Sequence, residues 1–289
     1  MSPARYLEGV VLLAVVAVAV SAGAAGLRRR LTPDWAGAPA RLAEVVLALA
    51  LVVLVSEALG LVGLFRRAPL VIGLVAAGAV SWAIGRRRGP PPPAAQRTAR
   101  APAYPLWQLI AAVVATATVV AEWGVRTVDA LRFGMDGTDT LWYHLPVAAR
   151  FVQDASIVHL HYLDNDAVTV FYPASSELLH AVGIVLLGSD VLSCVQNMGW
   201  LALSLLASWC LGRRFGVAPL ALVACAVVLG TAQLVAGQPG GAYNDVVVLA
   251  LVLATLALVV HAPREAGSAP RRGALAVAAL AAGLAIGMK

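Results

Sequence analysis

Eight of the chain's fifteen carboxylates fall within one stretch, Gly124 to Asp190: Asp129, Asp136, Asp139, Asp154, Asp164, Asp166, Glu177 and Asp190. Four of the five histidines lie there too, with three arginines, Arg126, Arg132 and Arg150. Carboxylates beside imidazoles and aromatics are the materials of proton transfer. Asp139 opens the densest segment, Asp139-Thr-Leu-Trp-Tyr143-His144-Leu-Pro146. It stands before an expected juxtamembrane helix, whose N-terminal end favours a negative charge. An ordinary N-cap or turn also explains an aspartate at such a place.

Asp245 begins a long apolar run. A carboxylate at the start of a long apolar run is costly unless it is hydrated, paired or functional. The preceding Gln238-Pro-Gly-Gly-Ala-Tyr-Asn244 turn supplies a flexible aqueous mouth, so a plain helix cap remains equally open. Tyr243 and Asn244 belong to that mouth. Lys289 is the only lysine and follows a run of small residues; a snorkelling interfacial lysine is its default reading. Arg150 and His144 read, from the residues alone, as simply solvated. His159-x-His161 with Asp164 and Asp166 raises the question of a divalent metal. Two histidines at i and i+2 share a face only in a strand, and further ligands cannot be assigned by spacing. A polar loop is the better reading, and no metal or other cofactor is expected.

The elements that must position these residues are membrane helices. Hydrophobic residues make up 61% of the chain, charged residues 12%, and mean hydropathy is +0.84. An ordinary soluble domain is about 45–50% apolar and about 25% charged. The net charge of +6 does not imply nucleic acid, because the arginines cluster in short loops between apolar runs. Cys194, Cys210 and Cys225 lie within apolar runs and read as buried thiols outside any disulfide framework.

Spans are expected over 7–26, 41–65, 68–85, 105–124, 191–211, 217–236, 245–261 and 273–288, giving an all-α polytopic transmembrane bundle. The 41–85 pair is complicated by Glu44 and Glu57. Residues 1–88 form an N-terminal module of about three helices. Residues 89–104, with Gly-Pro-Pro-Pro-Pro at 89–93, form a stiff cytoplasmic linker, and 105–289 form the remainder. Placing the N-terminus outside puts Arg28–Arg30, the arginines of 86–100, Arg213–Arg214, and Arg264 with Arg271–Arg272 in the cytoplasm, as the positive-inside rule prefers. The 125–190 loop, the 237–244 turn and Lys289 then face outward across an inner or plasma membrane. Arg66 and Arg67 are the main exception. Glu177–Gly188 is too short for a span and is expected as a helix on the outer membrane surface. The first apolar run has its strong positive charge after it, which marks an uncleaved signal-anchor rather than a cleaved signal peptide.

In that setting the segment Asp139-x-x-x-Tyr143-His144-x-Pro146-x-Ala148 resembles the first periplasmic loop of the GT-C superfamily. Its members are polytopic glycosyltransferases, among them the family 39-like protein mannosyltransferase and aminoarabinose transferase branches. Three further stretches fit in the same order. Phe171-Tyr-Pro-Ala-Ser-Ser-Glu177 with Leu187-Gly188-Ser-Asp190 resembles the Tyr-Pro-Pro surface helix. Tyr243-Asn244-Asp245 resembles the second acidic position, and Gly283-Leu-Ala-Ile-Gly-Met-Lys289 resembles the glycine-rich helix ending in lysine. The resemblance covers roughly 105–289. It implies inverting sugar transfer from a polyprenyl-phosphate donor to an acceptor that the sequence does not specify, on the extracytoplasmic face. It casts Asp139 as general base, with Asp136 the nearby fallback, and Asp245 as a second catalytic acid. Asp136, Tyr143, His144, Arg150, Asn244 and Lys289 become substrate-binding residues, with Arg150 and His144 as secondary contacts for the phosphate. Thr140 stands where the superfamily often has a second acid. Members usually carry more spans, so the chain is expected to be a truncated member. A non-catalytic homologue is one alternative. A transporter or flippase component is another, but transporters place their ionisable groups near the midplane of repeated halves, and here the acids lie outside the spans.

Overall fold

The computed structural model describes residues 3–86, 103–158, 169–263 and 267–289. Among them there is no strand. The described chain forms α1 Pro3–Leu31, α2 Ala38–Leu61, α3 Arg67–Arg86, α4 Leu106–Phe133, α5 Leu145–Asp154, α6 Ser175–Leu187, α7 Val191–Arg214, α8 Ala218–Leu229, α9 Ala232–Gly237, α10 Asp245–His261 and α11 Ala269–Met288. A π-helical turn, Thr140–His144, leads directly into α5. Six helices (α1, α2, α3, α4, α7 and α11) are long and apolar enough to cross a membrane. The protein is an all-α polytopic bundle. The expected linker largely coincides with 87–102, outside the described residues.

Three elements differ from the sequence reading. The expected span 217–236 is broken into α8 and α9. Gly230 is a poor helix former, and Thr231 turns to extended backbone while its Oγ1 donates to Val228 O at 2.8 Å. α4 runs on to Phe133, so Arg126, Asp129 and Arg132 lie on its last turns rather than in a loop; the helix stops at Gly134, with φ +92°. α6 does not lie open on a surface. Ten of its 13 residues are buried, because other helices close over it. Gly9 of α1 sits so near that a Cβ there would lie 2.6 Å from Leu186 O, and Leu192 of α7 covers Gly183.

Without a hydrophobic drive between helices in lipid, close backbone packing holds spans together. α1 and α3 meet through Gly23, Gly26, Gly78 and Gly85; a Cβ on Gly23 would lie 2.7 Å from Gly78 O. α2 contributes Leu42 and Val46 to a core shared with Leu203 of α7, Leu258 of α10 and Ala278 of α11. A second core joins Val16, Phe65 and Leu70 to Phe151 of α5 and Leu178 and Leu186 of α6. That core fixes α5 and α6 beneath the polar segment.

Helix directions sort the loops onto two ends. At one end Arg28 pairs with Glu44 at 3.1 Å, Arg41 also pairs with Glu44, and Trp35 meets the ring of His261. Arg213 lies against Gly37, and Gly273 of α11 packs on Leu31. With Gly85 of α3 packed on Gly26 of α1, the described arginine-bearing ends of α1, α3, α7 and α11 gather there. At the opposite end Phe65 N donates to Ala155 O, Ile157 N donates to Gly60 O, and Ser175 Oγ donates to Glu57 at 3.1 Å. These contacts account for both α2 glutamates, one at each end. They also explain Arg67, the sequence exception: its Nε donates to Val185 O at 3.1 Å, and its Nη1 lies 3.8 Å from Glu8. It ties the C-terminal part of α6 to α1.

Candidate functional site

At the end away from the arginine loops, four segments remote in sequence meet around Tyr143. The π-helical turn brings Asp139, Tyr143 and His144; α6 brings Glu177; the start of α10 brings Asn244 and Asp245; the end of α11 brings Lys289. A cavity of about 410 Å³ opens here, lined by Tyr143, Tyr172, Glu177, Asn244 and Lys289 among others. Its size falls in the range of small-ligand sites, roughly 300–1,000 Å³.

The convergence has identifiable causes. Asn197, fully buried on α7, donates through Nδ2 to the carbonyls of Gln238 (2.7 Å), Tyr243 (3.0 Å) and Gly241 (3.2 Å). Thr140 Oγ1 accepts from Ala242 N at 2.9 Å, joining the π-helical turn to the same loop across 102 residues. Gly137 leaves room for Tyr243, whose ring a Cβ would meet at 2.5 Å. Gln238 then clamps the next helix: its Nε2 donates to Asp245 Oδ2 at 2.9 Å, and its Oε1 accepts from Val246 N at 3.1 Å. Asn244 Nδ2 donates to Met288 O at 2.7 Å, and Lys289 Nζ pairs with Asp245 Oδ1. The last two contacts bring the end of α11 to the start of α10. Both members of the Asp245–Lys289 pair are about half exposed, so it contributes little to stability and is free to exchange partners.

Asp139 is half-buried and in helical conformation, and its side chain makes no capping hydrogen bond. It does not serve as an N-cap. Its charge reaches Tyr143, as do those of Glu177 and Asp245. Burial first, then these three carboxylates in that order and Tyr172, hold the Tyr143 phenol well above its ordinary range. Tyr143 is therefore a neutral O–H donor at the cavity wall. Tyr172 stands edge-on to it, ring centres 6.1 Å apart.

His144 is neither solvated nor an open phosphate contact. It is fully buried, and Nδ1 meets Oε1 of Glu177, itself only 3% exposed. With Glu177 ionised, Nδ1 carries the proton and donates. His180 lies beneath, its Nε2 3.5 Å from Gln196 Nε2. Burial, and then the neighbouring His144, hold His180 well below the usual imidazole range.

Two candidates stand apart. Asp136 is exposed, and Arg150 faces Asp154 one turn along α5 at 3.8 Å rather than the cavity. Glu177, Gln238, Asn197 and Thr140 are the residues that sequence reasoning did not place in the site. Glu177 carried a usable signal: it is a lone carboxylate leading an apolar run, as Asp245 is. Among the described residues no group of three or more side chains is arranged to hold a metal; His159, His161, Asp164 and Asp166 lie outside them. Compared with family models, curated proteins and solved structures, the chain gives no match.

Proposed function

We propose that the protein is a membrane glycosyltransferase that moves a sugar from a polyprenyl-phosphate donor to an acceptor hydroxyl on the extracytoplasmic face, as its GT-C-like motifs imply. The observation that supports this most is a cavity lined by Glu177, Lys289 and two tyrosines, with the charges of Asp139 and Asp245 reaching its Tyr143 and Asp245 paired with its Lys289. Inverting transfer needs a base, a hold on the sugar and a cation for the leaving phosphate. Asp139 takes the acceptor proton as the acceptor oxygen attacks the anomeric carbon. The anomeric C–O bond breaks, and its electron pair leaves with the phosphate. Lys289 exchanges Asp245 for that phosphate, and Asp245 keeps the ammonium in place between turnovers. Gathering the arginine loops at the opposite end agrees with an extracytoplasmic cavity under the positive-inside rule.

The test is transfer of radiolabel from a panel of polyprenyl-phosphate sugars in membranes containing the full-length protein. Asp139→Asn lowers transfer by about 100-fold or more, the usual worth of a general base, with membrane insertion unchanged. Wild-type rates in that variant, at equal protein level, would remove Asp139 from the mechanism.

A further inference from the structure

Among the described residues, Glu177 is a buried carboxylate only half accounted for. It is 3% exposed, His144 occupies Oε1, and Oε2 has no hydrogen-bond partner among the described residues. Leaving a buried carboxylate oxygen without a donor is expensive, more so than for a neutral group. The fold goes to some length to keep it there. Ser175 and Ser176 begin the helix that carries it, α1 and α7 close over α6, and fully buried His144 fixes one of its two oxygens. Glu177 also lines the cavity. Oε2 itself is buried, so a ligand in that cavity supplies the missing donor once the Glu177 side chain turns toward it.

From this we infer that Glu177, oriented by His144, binds the sugar ring of the lipid-linked donor by accepting a ring hydroxyl at Oε2. The inference rests on the glycosyltransferase reading and adds to it the residue that recognises the sugar. The rest of the lining fits such a ligand. Tyr143 offers a neutral phenolic donor, Tyr172 presents a half-exposed aromatic ring, and Lys289 supplies a cation for the attached phosphate. Asp139 does not line the cavity wall as Glu177 does, so the two acids divide the work: one receives a proton, the other holds a hydroxyl. His144 acts through Glu177 as a positioning residue. An acceptor-binding role for Glu177 is the competing outcome.

Equilibrium binding to the full chain in nanodiscs tests this, using a polyprenyl-phosphate sugar and the same lipid phosphate without its sugar. Glu177→Gln turns the free acceptor into an N–H donor, and affinity for the sugar-bearing lipid falls about 10- to 100-fold, as expected for loss of a hydrogen bond to a charged group. Affinity for the sugarless lipid stays within about twofold, since that lipid makes no such bond. His144→Asn, which still offers a donor to Oε1, keeps the preference for the sugar-bearing lipid, and His144→Leu loses it. This pair serves if Glu177→Gln does not fold. Equal weakening of both lipids by Glu177→Gln, an unchanged preference, or an effect confined to acceptor KM overturns the inference. A wild-type protein that binds both lipids equally also overturns it but leaves the glycosyltransferase reading standing. A wild-type protein that binds neither removes that reading and this inference together.

Discussion

Replacing Asn197 with alanine removes the side chain that ties the 238–243 loop to α7 through three carbonyls. Its two amide hydrogens serve three carbonyls at 2.7, 3.0 and 3.2 Å, two of them fully buried, so one hydrogen is shared. At about 1 kcal/mol net for each hydrogen bond, with a further penalty for buried carbonyls left without a donor, the loss comes to about 2–4 kcal/mol. Asn197→Asp is worse than Asn197→Ala, because a carboxylate sets acceptors against three carbonyls. The assay is reversible denaturation in mixed micelles, with protease sensitivity at 238–243 as a local readout. The loop also carries Gln238, which clamps Asp245, so transfer activity falls in the surviving folded fraction. An Asn197→Ala protein within about 0.5 kcal/mol of wild type, the scatter of an ordinary surface change, with an uncut loop, would refute this account of how the site is assembled.

Two glycine substitutions of identical chemistry have opposite signs. Gly9→Ala drives a methyl to 2.6 Å from Leu186 O and destabilises by about 1–3 kcal/mol, whereas Gly124→Ala meets open space on α4 and stabilises by about 0.5–1 kcal/mol; both are read in the same denaturation assay. His180 gives a pH signature. Its folded-state pKa lies below its unfolded value, so the unfolded chain binds the extra proton and stability falls as pH drops below about 6.5, by up to about 1.4 kcal/mol per pH unit. Comparing the pH profile of wild type with that of His180→Gln isolates this slope, and superimposable profiles would contradict it.

Much of the helical framework could be read from hydropathy, because a run such as Val10–Val20 admits few alternatives. The site was readable where one residue carried its own cost: Asp245 at the head of an apolar run had to be paired or hydrated, and it is paired with Lys289 and Gln238. The same reasoning applied to Glu177 would have found it. The length of the Glu177–Gly188 segment pointed instead to a surface helix, since nothing local shows that Gly9 lets α1 cover it. His144 shows the other limit. Its partner lies 33 residues away, and nothing in the spacing distinguishes a buried imidazole gripping a carboxylate from a solvated one. Thr140, which stands where a second acid was expected, turned out to link two loops.

The account depends most on which side of the membrane the cavity faces. Single cysteines at exposed positions, Asp136→Cys and Asp245→Cys at one end and Arg29→Cys and Arg214→Cys at the other, are treated on intact cells with a membrane-impermeant maleimide; the native cysteines are all buried. Labelling of 136 and 245 without permeabilisation, and of 29 and 214 only after it, is the predicted result. The reverse pattern would put the cavity in the cytoplasm and end the case for transfer at the outer face.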